Sequence, residues 1–316
     1  EESAMAKYII KRLIALIPVL LGVTLIIFTL LYITPGDPAQ ALLGDEAATP
    51  EAIAQIHEEL GLDDPFWVRY GRYVWDLLHG DLGLSYQNGK PVIDRLLECL
   101  PKTLTLACAS AALAVVLGVT FGVIAAVKHN SVFDNLCMIF ALGGVSMPHF
   151  WQGLLLMLLF GVKLRWLPIS GYGTFAQLIL PALTIGYGCM AIIARMTRSS
   201  MLEVINQDYI NFAHAKGQKK FVIITRHALQ NALIPIITTI ALQFGILLGG
   251  SVITESIFAI PGVGKLMVDS IRSSNYPVVQ GGVLMIAFIY CVNNLLVDII
   301  YAFIDPRIKT SLSNAR

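Results

Sequence analysis

Residues 228–254 read ALQNALIPIITTIALQFGILLGGSVIT, a run that holds no Asp, Glu, Lys or Arg. A helix rises 1.5 Å per residue, so this run is long enough to cover the roughly 30 Å hydrocarbon slab of a bilayer. Five more runs of about 20 residues or longer share its character: Leu13–Ile33, Thr103–Val127, Leu136–Val162, Phe175–Ala194 and Ser273–Val297. Apolar residues make up 56% of the chain and charged residues 14%, and mean hydropathy is +0.71, far from an ordinary soluble domain. Lipid cannot satisfy backbone polar groups, and the runs lack the alternation of barrel strands, so they read as helices. The expectation is an all-α polytopic membrane protein with six transmembrane helices.

Upstream of the quoted run lies Asp208–Pro235, DYINFAHAKGQKKFVIITRHALQNALIP, a polar loop with a helical pattern of its own. Six of the 22 Lys and Arg fall between Arg195 and Arg226. Val204, Ile205, Tyr209, Ile210 and Phe212 give an amphipathic pattern between Leu202 and Ala215. Ala213, Ala215 and Gly217 are small enough for close approach to another surface, and Gly217 allows a sharp turn between two short helices. A compact helix with an alanine face suits a groove on another protein. The competing reading is a basic interfacial loop in which Lys216, Lys219, Lys220 and Arg226 touch anionic lipid headgroups.

Lys and Arg also set the orientation. With a cytoplasmic N-terminus, 13 of the 22 lie inside and 9 outside. The segment Thr34–Leu100 carries 12 acids and 4 bases, net −8, as suits a translocated piece. Both termini and the 195–231 loop are therefore expected in the cytoplasm, and residues 34–102 outside. Lys7, Lys11 and Arg12 before the first apolar run imitate a signal peptide. That run exceeds the 7–15 residues of a signal core, and Ala39-Gln40-Ala41 lies well beyond its end, so a retained anchor is expected. Met5 reads as the initiator, giving a single transmembrane domain over 5–316.

The outer segment holds Thr-Pro-Gly-Asp-Pro at 34–38, an amphipathic helix over Pro50–Leu60 capped by Gly61, and the aromatics Phe66, Trp67, Tyr70, Tyr73 and Trp75. It reads either as a cap over the pore or as a docking surface for a soluble partner. In the third run, Pro148 is expected to kink the helix. His149 inside the membrane marks a functional position by default. Met147 beside it offers a soft metal contact, although a hydrogen bond from His149 to a neighbouring helix is the favoured reading.

No constellation argues for catalysis or for a metal site on this chain. Ala259–Leu266 imitates a phosphate loop, but has Ala for the first Gly and Leu for the hydroxyl, and falls outside the membrane. His57-Glu58-Glu59 lacks the second His of a zinc protease, and there is no nucleophile elbow. Cys99, Cys108, Cys137, Cys189 and Cys291 show no paired spacing and read as packing residues. Nothing points to nucleic acid. The span interiors lack acids and bases for ion coupling, which disfavours an independent secondary transporter, and no output domain suggests a sensor. The energy source is expected to lie on a partner.

The order of short motifs along the chain is specific. It includes Pro35-Gly36-Asp37-Pro38, Gly80-Asp81-Leu82-Gly83, Ala215-Lys216-Gly217, Arg226-His227-Ala228-Leu229 and Asn231–Pro235. Glu255–Phe258, Pro261–Gly264, Asn294–Asp298 and Asp305-Pro306-Arg307 follow. Over nearly its whole length the chain resembles the B-type permease of the dipeptide, oligopeptide and nickel family of ABC importers. Asn211-Phe212-Ala213 replaces the acidic start of the general signature. The resemblance implies the type I importer permease fold in a bacterial inner membrane. It also implies a second, C-type permease subunit, two cytoplasmic ATPases that bind ATP and Mg, and an extracytoplasmic solute-binding protein. Ala213, Ala215, Lys216 and Gly217, with Arg226 and His227, then belong to the coupling element docked on an ATPase. The expected cargo is di- or oligopeptides, with nickel or a nickel chelate as the alternative. Candidate pore residues are Ser146, His149, Gln152, Tyr187, Gln243, Ser251 and Asn293.

Overall fold

In a computed structural model, which describes residues 2–34, 36–44 and 48–304, the chain is helical throughout its apolar runs. In order it forms α1 Glu2–Ile33, α2 Pro38–Leu43, α3 Pro50–Leu60, α4 Phe66–Leu78, α5 Val92–Val127, α6 Val132–Ser146 and α7 His149–Leu156. There follow α8 Phe175–Ile205, α9 Asp208–Ala215, α10 Lys220–Val222, α11 Gln230–Ile257, α12 Val263–Arg272 and α13 Tyr276–Ile304. Wider π-helical turns extend α7 over Met157–Lys163 and precede α11 over Ile223–Leu229. Pro35 and Asp305-Pro306-Arg307 lie outside the described residues.

Among the described residues, five helices are long and apolar enough to cross a membrane, or six if α6 and the helix after it form one bent span. The single kinked helix expected over 136–162 is instead two helices meeting at 112°. The reason is local. A proline disfavours helical geometry in the residue before it, and Met147 is extended at φ −100°, ψ 133°. Pro148 then starts α7, where a missing N–H costs nothing.

The chain divides into two compact units. One is built mainly from Leu104–Ile260 with the C-terminal part of α13, the other from Lys7–Thr103 with Pro261–Val292. In the first, helices meet through small residues. A Cβ on Gly186 would stand 2.8 Å from the Ser110 carbonyl oxygen, and one on Gly122 2.6 Å from that of Ala194. Within lipid there is no hydrophobic drive between helices, so this close van der Waals approach is what holds them. The outward side chains of α6, among them Val132, Leu136, Ile139 and Leu142, remain exposed.

In the second unit, Val92 and Leu96 of α5 pack with Val263 and Met267 of α12 and Val278 of α13. The Val263 N–H donates to Thr103 Oγ1 at 2.9 Å. The false phosphate loop thus has its leading amide already engaged and its valine fully buried. Phe28 of α1 seats α4 through rings of Phe66, Tyr70 and Tyr73 at centroid distances of 5.4, 5.5 and 5.7 Å. Trp67 and Trp75 stay exposed. The turn over 80–86 is pinned by buried Asn275, which accepts from the Tyr86 N–H at 3.1 Å and donates to Ser85 Oγ at 2.9 Å.

His57 clasps the outer segment. Its Nε2 lies 3.0 Å from Asp37 Oδ1 and its Nδ1 3.0 Å from Asp63 Oδ1. Only the imidazolium donates from both nitrogens. The hydrogen bond to Asp63, then that to Asp37, raises the His57 pKa above its usual 6.5. Burial opposes ionisation of Asp37, but the His57 hydrogen bond and the Ala39 amide outweigh it and hold the carboxyl below 3.8. The His57 contribution is complete below pH 6.5 and is lost as pH rises through its raised value. The Asp37 contribution is present above pH 3.8 and is lost as pH falls through its lowered value. Amide protection over residues 37–44 and 48–63, taken relative to the intrinsic exchange rate at each pH, is therefore expected to be greatest in the acidic window between those limits and to fall on alkalinisation. A His57→Phe protein should lose the alkaline limb; an identical profile in that protein contradicts the clasp.

Candidate functional site

The elbow after α8 is assembled from its own backbone requirements. α8 ends at Ile205, where Asn206 Nδ2 donates to the Leu202 carbonyl at 2.9 Å and occupies one of the unpaired oxygens of the last turn. α9 starts at Asp208, whose charge suits a helix N-terminus. It closes with Gln218 N–H to Ala213 O at 3.3 Å and Gly217 N–H to His214 O at 2.9 Å. That pair is a Schellman motif, and it requires a left-handed residue after the helix. Gly217 supplies it at φ +74°.

The amphipathic pattern read as continuous over 202–215 is interrupted at Asn206-Gln207, and the break resets which face points inward. Ile210 and Ala213 are buried against Met201, Ile223, Ala228, Ala232 and Ile236. Ala213 thus serves the permease's own core. Ala215, Lys216, Gly217 and Arg226 are exposed, and His227 is half-buried. Tyr209 and Phe212 are exposed too, with the Lys216 ammonium 4.6 Å from the centre of the Phe212 ring. His227 Nε2 lies 2.8 Å from Gln218 Oε1, tying the far side of the elbow to the π-helical turns. Gln218 carried no signal in the sequence beyond being next to the glycine.

Arg198 belongs to the basic cluster read as a cytoplasmic loop, yet it is spoken for. It grips Asp134 of α6 with Nε at 2.6 Å and Nη2 at 2.7 Å. Asp134 also accepts from the Asn130 N–H at 3.0 Å and lies 3.3 Å from His129 Nδ1. The carboxylate is only 2% exposed. The turn between α5 and α6 is thereby bolted to α8, two turns before the elbow.

A second feature of the same unit is a cavity of about 430 Å³ at the α6–α7 corner. Ser146, His149 and Gln243 line it, beside Met147 and Cys189. His149 Nδ1 is buried without a hydrogen-bond partner among the described residues, so the expected bond to a neighbouring helix is not made by that nitrogen. Gln152 follows His149 by one turn, also with an unpartnered buried oxygen, Oε1. The remaining pore candidates lie elsewhere. Tyr187 donates to the Phe140 carbonyl, Ser251 is fully buried and donates to the Leu248 carbonyl at 2.9 Å, and Asn293 sits on α13 with Nδ2 unpartnered. Glu255, at the end of α11, is fully buried and was not singled out as a site residue. Among the described residues no group of three or more His, Cys, Asp or Glu is placed to hold a metal.

Helices long enough to cross a membrane, a broken third span and an exposed glycine elbow together describe a polytopic membrane protein. The chain belongs to the family described as binding-protein-dependent transport system inner membrane component, which matches residues 118–310, with the family's N-terminal component matching 5–107. It is 44% identical to the dipeptide transport system permease protein DppB of Alkalihalophilus pseudofirmus, covering 96% of this chain and all of that one. Identity is 40% to DppB of Escherichia coli K12, over 96% and 99%. It is 41% to the glutathione transport system permease protein GsiC of Escherichia coli O6:H1, again over 96% and 99%. The fold is similar to an inward-facing MetNI methionine ABC transporter chain, with a TM-score of 0.57 and 18% identity over 67% of this chain and 97% of that one. The chain is thus a multi-pass inner-membrane permease subunit of type I importer fold. It is a permease subunit of a binding-protein-dependent transport system, rather than an enzyme.

Proposed function

We propose that the chain forms half of the pathway by which di- or oligopeptides enter the cell. The observation that carries this reading is its 44% identity to a dipeptide permease along that protein's entire length. The nickel alternative gains no support, since the named relatives carry dipeptides and glutathione.

The exposed face of α9 and its elbow supports docking in the groove of a cytoplasmic ATPase. Ala215 and Gly217 let backbone approach closely there, Phe212 offers an apolar knob, and Lys216 and Arg226 offer charge. ATP and Mg are held by two such ATPases, and this chain binds neither. Closing of the ATPase pair draws two coupling helices together, one from this chain and one from a second, C-type permease subunit. The membrane helices then move between two arrangements as rigid bodies. This scheme puts the elbow and both termini in the cytoplasm. It leaves the segment over 34–102 to meet the solute-binding protein.

Ser146, His149 and Gln243 line the route. They offer hydrogen bonds to peptide amides that have left water, at a corner where the backbone is already broken. A hydrogen bond contributes on the order of 1 kcal/mol, or about fivefold. Reconstituted with its partners, the His149→Ala protein is expected to import peptide a fewfold less efficiently, with ATP turnover retained. Unaltered uptake removes His149 from the route, and a selective loss of nickel uptake instead overturns the peptide assignment.

A further inference from the structure

The unit built from Lys7–Thr103 and Pro261–Val292 contains a cavity of about 570 Å³, within the roughly 300–1,000 Å³ of small-ligand sites. Its wall carries both signs of charge. Arg69 of α4 lines it, with its guanidinium carbon 5.3 Å from the centre of the Tyr32 ring and Nη1 donating to the Leu62 carbonyl at 3.0 Å. Asp76, two turns further along α4, and Asp81 add carboxylates. Asp37 lines the cavity too but is engaged by His57.

Tyr73 and Tyr276 belong to the same wall. The hydroxyls of Tyr73 and Tyr276 are buried and have no hydrogen-bond partner among the described residues, and both side chains line this cavity. Tyr276 is only 9% exposed. Burial pushes the Tyr73 pKa up to about 12, so its proton stays available for donation. Buried polar atoms are almost always partnered, and an unmet hydroxyl is costly. Two of them on side chains that line one cavity make its wall polar. Phe28 and Leu31 give the same cavity an apolar side.

A cation and carboxylates around one apolar-sided space complement a small zwitterion. We propose that this cavity is a staging subsite for short peptides with free termini. Arg69 receives the terminal carboxylate, and Asp76 with Asp81 receives the terminal ammonium. The proposal rests on the peptide reading above and adds to it a place, outside the coupling unit, where both peptide ends are read.

The test uses the complete importer in nanodiscs, without binding protein, and trialanine as probe. Saturable binding is expected, about tenfold weaker in Arg69→Gln, because a hydrogen bond to a charged group is lost. The sharper readout is discrimination between blocked forms. Wild type should prefer trialanine over both its N-acetyl and its C-amide derivatives. Arg69→Gln should no longer distinguish trialanine from the C-amide, while Asp76→Asn should no longer distinguish it from the N-acetyl form. A folding defect cannot produce that crossed pattern. Absence of saturable binding, or unchanged discrimination in both variants, overturns the subsite. So does a result in which the variants lose only co-purified phosphatidylethanolamine, since that assigns the cavity to a zwitterionic headgroup. Uptake of trialanine by the wild-type system with its binding protein is measured in parallel. Uptake without cavity binding removes the subsite alone, whereas failure to import any peptide removes the peptide reading itself.

Discussion

Gly217→Ile is expected to reduce uptake at least tenfold while the protein still inserts and assembles. The left-handed conformation of Gly217, φ +74°, costs an L-residue about 1–2 kcal/mol, and a branched side chain more. Nothing lies within 4 Å of a Cβ built there, so the Cβ itself meets open space. Its whole effect falls on the turn. Relaxing that turn breaks the bonds to Ala213 and His214, frees the end of α9, and swings Ala215 and Lys216 away from their present line. The measurement is ATP-driven uptake beside ATPase stimulation by loaded binding protein. Continued ATP turnover with little uptake is the expected result. Wild-type uptake contradicts the coupling role, and Gly217→Ala should fall between the two.

Removing the partner of a buried charge is expected to have the largest effect on stability. Arg198→Met leaves the Asp134 carboxylate 2% exposed with its bidentate partner gone, a change that costs roughly 3–5 kcal/mol. A large fall in the thermal unfolding temperature in detergent should follow. Adding Asp134→Leu should recover most of it, because an apolar pair of similar size replaces a salt bridge with little loss. If the double variant is no more stable than the single, Asp134 and Arg198 act independently and the bolt between the α5–α6 turn and α8 is not what holds them.

Much of the fold was legible because lipid imposes a simple rule on composition. The apolar runs became helices, α3 took the bounds Pro50–Leu60 expected of it, and Gly61 closed it in the left-handed region. The failures have physical causes. Pro148 was visible, but whether it kinks or breaks a helix depends on the residue before it, and Met147 chose the extended basin. Ala213 was expected on an outer face because a single helical phase was carried through Asn206-Gln207, where the chain starts again. The Asp134–Arg198 pair joins residues 64 apart, and periodicity carries no information at that range. Glu255 belongs to a family motif but stands one place beyond an apolar run, so polarity within a span does not mark it, although α11 continues through it. Of the pore candidates, polarity within a span found Ser146, His149 and Gln243, which share a cavity. The same rule also gathered Ser251, which is fully buried and does not line that cavity.

The corner at Met147-Pro148 constrains which side of the subunit can ever touch acyl chains. Pro148 has no N–H to return to the carbonyl four residues earlier, and the 112° turn strips the remaining oxygens of the α6 terminus of helical partners. Hydrocarbon offers such oxygens nothing. The corner is therefore expected to face water, polar groups of this chain or another polypeptide, and this single proline keeps acyl chains away from the adjoining ends of α6 and α7.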